Sequence, residues 1–333
     1  MKLLRDTVLD PFLLGIFAVA ALASLFPATG TAEDVLGWVT RIAIALLFLI
    51  YGARLSPRDA WNGVKHWRLH SVILACTYLL FPALGLALRI LVPGVISDDL
   101  YTGMLFLCLV PSTVQSSIAF TSIARGNIAG AVVSASFSNI IGVFVTPLLV
   151  IALMTTTGSV TIDPSSVLDI ALQLLLPFAV GQLMRPWVTG WLTRHSAPTK
   201  LVDRGSILLV VFAAFSESMN QNVWSSVPVW RIGIVVAVCA ALLAVVLAIT
   251  WYGGKWLGFA FEDRVVLLFC GSKKSLASGL PMAAVLFVGQ PVGLIVLPLL
   301  IFHQIQLMVC TVIAQHLARR PQSEQSPVGS VAD

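Results

Sequence analysis

Charge is what this sequence has least of. Of its 333 residues only 11% are Asp, Glu, Lys or Arg, 58% are hydrophobic, and the mean hydropathy is +0.95. Soluble domains carry roughly 25% charged residues, so this chain cannot clothe a water-facing surface, and lipid is the expected solvent for most of its side chains. Other features are missing too. The five cysteines (Cys76, Cys108, Cys239, Cys270, Cys310) lie inside apolar runs without paired spacing, which excludes a disulfide or metal framework and leaves them as small buried hydrophobes. No Gly-rich loop ends in Lys-Ser/Thr, which argues against an ATP-driven pump. The first residues, Met1-Lys2-Leu3-Leu4-Arg5-Asp6, lack a cleavable signal pattern, so the first apolar run reads as a retained helix. A net charge of +5 does not point to nucleic acid, because the Lys and Arg are scattered between apolar spans.

What is present is a series of lipid-length spans. At about 20 apolar residues per crossing, helices are expected near 11–28, 36–54, 70–92, 100–124, 128–154, 165–186, 205–221, 230–257, 264–288 and 292–317. With both termini in the cytoplasm, fifteen Lys and Arg fall in inside segments and three (Arg41, Arg89, Arg231) outside, the other two lying within a helix. Removing or adding one helix scrambles that asymmetry. The basic stretch 56–70, with Trp61 and Trp67, reads as an interfacial connector, and the polar stretch 321–333 as a disordered cytoplasmic tail.

Residues 41–61 and 204–224 align at an offset of 163, with Arg41 on Arg204 and Trp61 on Trp224. Pro147-Leu148-Leu149 likewise resembles Pro298-Leu299-Leu300. Five helices per half imply opposite orientations in the bilayer, hence an all-α fold of two inverted five-helix repeats, 1–158 and 159–320.

Polar residues concentrate in two spans. The fourth carries Pro111-Ser112-Thr113-Val114-Gln115-Ser116-Ser117, where the proline removes a helical hydrogen bond and a break is expected. The ninth carries Gly271-Ser272-Lys273-Lys274-Ser275 with Ser278, Gly279 and Pro281, which supply freedom for a second break. Lys273 lies about 15 Å from the start of its helix, and a charge at the bilayer centre costs at least ~2.5–3.5 kcal/mol. Two such charges call for a water-filled cavity or a bound anion, and the spans hold almost no acid. Glu217 is the one reasonable partner. Ser138 and Asn139 of the fifth helix and His303 of the tenth are further candidates, with interhelical packing as the plainer role for His303.

These residues resemble the bile acid:sodium symporter family (solute carrier family ten). The run from Pro111 through Ala124-Arg125-Gly126-Asn127 to Pro147 carries the likeness, and Ser-Lys-Lys-Ser-Leu-x-Ser-Gly-x-Pro at 272–281 looks like its divergent branch. The resemblance implies a panel domain, a core domain, and discontinuous helices four and nine that cross beside the binding site. It places a sodium-binding Ser-Asn pair on Ser116 and Ser117, and a Glu, Gly and Gln-Asn pattern on Phe269, Gly271, Lys273 and Lys274. The sodium-ligating carboxylate is thus absent and cations stand where amides stood, which speaks against sodium coupling and admits a proton instead.

The function expected is a secondary transporter of a small organic anion in a bacterial-type inner membrane, using no cofactor and compatible with a homodimer. Ser112, Thr113, Gln115, Ser116, Ser117, Asn127, Ser272, Lys273, Lys274, Ser275 and Ser278 are its candidate site. The alternatives are a proton-coupled or cation exchanger of the same fold and a non-transporting membrane regulator. A Ser275–Lys274 hydrolase dyad is disfavoured because adjacent residues diverge on a helix. The charge asymmetry predicts that a fluorescent protein fused after Arg320 is bright and an alkaline phosphatase fused there inactive. The reverse pattern would invert the topology.

Overall fold

A computed structural model describes residues 11–54, 66–154, 171–221 and 228–319. The tail at 321–333, Trp61 and Trp224 lie outside them. The described residues are mainly helical, with no strand among them: α1 (Pro11–Leu25), α2 (Thr31–Arg54), α3 (Trp67–Leu91), α4 (Asp98–Leu109), α5 (Gln115–Ile123), α6 (Ile128–Met154), α7 (Leu176–Arg194), α8 (Ser196–Asn220), α9 (Val229–Trp256), α10 (Phe261–Gly271), α11 (Leu276–Leu286) and α12 (Val292–Ala318). Five stretches are long and apolar enough to cross a membrane, namely Thr31–Arg54, Trp67–Leu91, Ile128–Met154, Trp230–Trp256 and Val292–Ala318. This is a multi-pass membrane protein. Many of its large apolar side chains point outward, Trp187, Trp256 and Ile90 among them, as a lipid solvent permits.

The fourth and ninth expected spans are each split. Helix α4 stops at Leu109 and α5 starts at Gln115; α10 stops at Gly271 and α11 starts at Leu276. Pro111 denies the first its continuation. At the second, Ser275 leaves the helical region and its hydroxyl accepts from the Ser278 N–H, an N-cap that starts α11 afresh. Helix α3 has a subtler irregularity. Its middle, Cys76–Leu80, is a π turn, in which the Phe81 N–H bonds to the Cys76 carbonyl.

Two groups of helices result. In the first, α2 packs along α7, and α8 packs on both α1 and α2. In the second, α12 lies against α4, α9 and α11, while α10 is wedged between α3, α5, α6 and α9. The α2–α7 contact depends on glycine. A Cβ on Gly52 would stand 2.1 Å from the Phe178 carbonyl oxygen, and one on Gly181 would stand 2.0 Å from that of Leu49. The two backbones therefore touch reciprocally, as small residues allow in membranes. Helix α8 joins the groups, packing on α11 and α12 as well.

Gly181→Leu or Gly52→Leu is expected to separate α2 from α7 and lower the melting temperature in detergent. The cost should reach or exceed the ~1–3 kcal/mol typical of overpacking, because main chain cannot step aside as a side chain does. Gly37→Leu, where nothing lies within 4 Å, should melt like the parent.

Candidate functional site

The two breaks meet in the middle of the second helix group. Where a helix stops in an apolar interior, its last carbonyls need new donors, and here several find one. The Leu109 carbonyl accepts from the Thr146 hydroxyl at 2.9 Å, that of Pro111 from the Ser275 N–H at 2.8 Å, and that of Ser112 from Asn139 Nδ2 at 2.7 Å. On the other break, the Phe269 carbonyl accepts from the Ser117 hydroxyl at 3.1 Å and the Cys270 carbonyl from the Ser112 hydroxyl at 2.6 Å. Each break thus supplies donors for the other. Asn139 ties them further, since its Oδ1 accepts from the Ser278 hydroxyl at 2.8 Å. Ser138 Oγ accepts from the Ser112 N–H at 3.2 Å, and the Ser138 carbonyl accepts from the Tyr78 hydroxyl at 2.6 Å.

Lys274 completes the set. Its side chain is fully buried, and its Nζ donates to the carbonyls of Thr77, Cys108 and Val110 at 3.0, 2.9 and 2.8 Å. The Phe81 ring covers it, with Nζ 4.1 Å from the ring centroid. Its peptide is held as well: the Lys274 N–H donates to Gln306 Oε1 and the Lys274 carbonyl accepts from Gln306 Nε2, each at 2.9 Å. Gln306 Nε2 also lies 2.9 Å from His303 Nδ1.

Lys273 differs. It is equally buried, its Nζ sits 4.1 Å from the centroid of the Phe120 ring, and among the described residues no hydrogen-bond acceptor lies within reach. Neither lysine meets Glu217, the partner expected from the sequence. The Glu217 carboxylate instead accepts from Gln221 at 3.3 Å, four residues on along the same helix. Main-chain carbonyls and aromatic rings take the place of an acid.

A cavity of about 610 Å³ separates the two groups of helices beside this crossing. Of the sequence candidates it is lined by Thr113, Gln115, Ser116, Ser275, Ser278, Asn139 and His303. Its opposite wall has an apolar stretch made by Phe12 and Ile16 of α1, Phe48 of α2, Phe178 of α7 and Ile207 of α8. Ser112, Ser117, Ser138, Ser272, Lys273 and Lys274 are not part of the wall; they lie buried on the far side of the crossing. The Ser272 hydroxyl turns back to the Leu268 carbonyl. Asn127 is a helix cap, its Oδ1 accepting from the Gly130 N–H and its Nδ2 donating to Asp263, each at 2.9 Å.

The charges that do face the cavity belong to the basic segments near the ends of the apolar spans. Arg54, Lys200 and Arg204 line it with a single carboxylate, Asp203. Arg54 and Asp203 form an ion pair at 2.5 Å, and the Arg204 guanidinium lies 5.3 Å from the centroid of the Phe12 ring. The lining therefore carries two cations in excess of its ion pair.

Gln306→Leu is expected to strand the N–H and carbonyl of Lys274 without partners, at about 1–3 kcal/mol for each buried group. Thermal denaturation in detergent should show a clearly lowered midpoint, with Gln306→Glu, which keeps only the acceptor, in between.

Residues 10–319 match the SBF-like CPA transporter family. An uncharacterized protein of Pseudomonas aeruginosa is 50% identical over 93% of each chain. YfeH of Escherichia coli, provisionally named a symporter, is 45% identical over 100% of this chain and 99% of its own. Sodium/bile acid cotransporter 7 of Mus musculus is 28% identical over 98% of both. The match spans both broken helices and every element that builds the cavity, and on that ground this chain belongs to the SBF-like CPA transporter family.

Proposed function

We propose that this protein is a secondary active transporter of a small organic anion, working by alternating access. In this reading ten crossings form two inverted five-helix units. The group α1, α2, α7 and α8 is the panel, and the helices around the crossing are the core that moves against it. The observation that carries the proposal is the cavity itself. It lies between the two groups, offers hydroxyls and amides on the broken-helix wall and hydrocarbon on the panel wall, and carries three cations against one carboxylate.

Access from one side only is supported by the two ends of α8. Near its start, Lys200, Asp203 and Arg204 line the cavity. Near its end, the Gly293 N–H donates to the Ser218 hydroxyl at 3.0 Å, and Ser216 Oγ accepts from the Ala28 N–H at 2.6 Å. The Asn220 side chain donates to the Ala28 carbonyl at 2.7 Å. That end of α8 is held against α12 and the α1–α2 connection. With the basic segments in the cytoplasm, the conformation is inward-facing and the protein sits in the inner membrane with both termini inside.

The anion would enter past Arg204 and Lys200, lay its apolar part along Phe48 and Phe178, and reach Thr113, Gln115, Ser116, Ser275, Asn139 and His303. Lys273 and Lys274 act from behind that wall, through the electrostatics of the crossing rather than by contact. A sodium-coupled cycle is disfavoured by the fixed Lys274 charge in the crossing, with a second ammonium beside it whenever Lys273 is protonated. A proton is the coupling ion this reading prefers, and Lys273, whose Nζ has no acceptor among the described residues, is the group that would carry it.

Uptake into proteoliposomes, screened over organic anions with a sodium gradient, a proton gradient or none, tests the reading. Proton-driven uptake is expected, reduced at least tenfold by Arg204→Gln combined with Lys200→Gln. Binding without translocation under every gradient would favour a membrane regulator. Sodium-driven uptake untouched by Lys273→Ala and Lys274→Ala would restore ordinary symport.

A further inference from the structure

We infer that the crossing contains a monovalent-cation site and that the Lys274 ammonium is its permanent occupant. The site is made by local sequence. Within a helix the Thr77 carbonyl would accept from residue 81 or, in a π turn, from residue 82. The Phe81 N–H is spent on Cys76, and Pro82 has no N–H to give. The Cys108 carbonyl would accept from the Ser112 N–H, but that donor goes to Ser138 Oγ. Val110 closes α4 just before Pro111, in extended backbone with ψ of 155°. Two prolines and one serine thus orphan three carbonyls, and all three converge on one point.

That point holds Nζ of Lys274 at 2.8–3.0 Å from each oxygen. An ammonium has three donors and no acceptor, so the cage matches the charged group bond for bond. A neutral amine would present a lone pair to a carbonyl oxygen, and an apolar side chain would leave three buried acceptors unsatisfied. Two of the carbonyls also belong to the C-terminal end of α4, where the helix dipole favours positive charge. Carbonyl oxygens capped by an aromatic face are the surroundings that a small free cation, such as ammonium, potassium or sodium, would accept equally well. Lys273 beside it has the ring face and no carbonyls, so the two neighbouring lysines are not equivalent.

The consequence is that the crossing takes up no free cation of its own, because it already holds one on a covalent stem. This concerns the integrity of the crossing and holds whether or not a solute is carried, so it stands or falls apart from the transport proposal. Chemical rescue tests it in purified protein. Lys274→Ala empties the cage and is expected to melt several degrees lower in choline chloride. Ammonium chloride at matched ionic strength should recover most of that loss saturably. Lys274→Met refills the space with an uncharged stem and should be destabilised without recovery. Lys273→Ala, which vacates no carbonyl cage, should show no ammonium effect.

Equal melting of Lys274→Ala and parent in choline, or an ammonium shift of the same size in Lys273→Ala, would overturn the inference. Should Lys274→Ala not survive purification, the parent alone is decisive. Its melting temperature is expected to be the same in sodium, potassium and choline chloride. A saturable rise in sodium or potassium would show a cation site still open and would refute permanent occupancy.

Discussion

Backbone that leaves a helix inside an apolar interior must find hydrogen bonds within a few ångströms, and this constraint organises everything around the two breaks. An apolar interior offers few other partners, and each unmet carbonyl would cost kilocalories. The chain meets the demand by crossing one break over the other. Ser112 and Ser117 serve carbonyls of α10, Ser275 serves Pro111, and Asn139 grips both sides. Lys274 then gathers what remains from α3 and α4. Its charge is tolerated at that depth because three dipoles and a ring are already aimed at it. In turn the dipoles need the charge.

The wall of the cavity inherits its shape from this arrangement. Because Ser112 and Ser117 turn inward to serve the other break, Thr113 and Ser116 face the open side, and the same division separates Ser272 from Ser275 and Ser278. His303 stands on the wall while Gln306, one turn on, holds the Lys274 peptide. A single amide therefore lies between a residue that faces the cavity and the segment that carries the buried cation. The α2–α7 side is simpler. The reciprocal glycine contact brings the two backbones directly against each other.

Much of this was legible beforehand, for identifiable reasons. Pro111 announces a break wherever it falls in a long helix, and two lysines in a span with scarcely an acid announce unusual surroundings. What pattern could not give was the register of the broken segments. Helical periodicity assigns faces only while the helix lasts, so the roles of Ser112 and Thr113, adjacent and alike in sequence, separate only in three dimensions. The expected acid partner, Glu217, was sought among side chains, whereas the acceptors are main chain. Pro82 and the π turn at Cys76–Leu80 were the missing clue, since a proline reports a carbonyl without a donor one turn before it. Arg54, Lys200 and Arg204 were counted as topology determinants, which charges near span ends usually are, and nothing in their spacing says that they share a cavity with Ser275.

The covalent stem of Lys274 also has a thermodynamic meaning. An ion that binds on one side of a membrane and leaves on the other delivers the work stored in its gradient, about 2.3 kcal/mol per charge for each 100 mV in the electrical part alone. A charge that is part of the chain never leaves and delivers none of it, however well it reproduces the ion's bonds. It can hold the crossing together and shape the field felt in the cavity, but over a full cycle its net displacement is zero. Any uphill movement by such a machine must draw its energy from a species that dissociates.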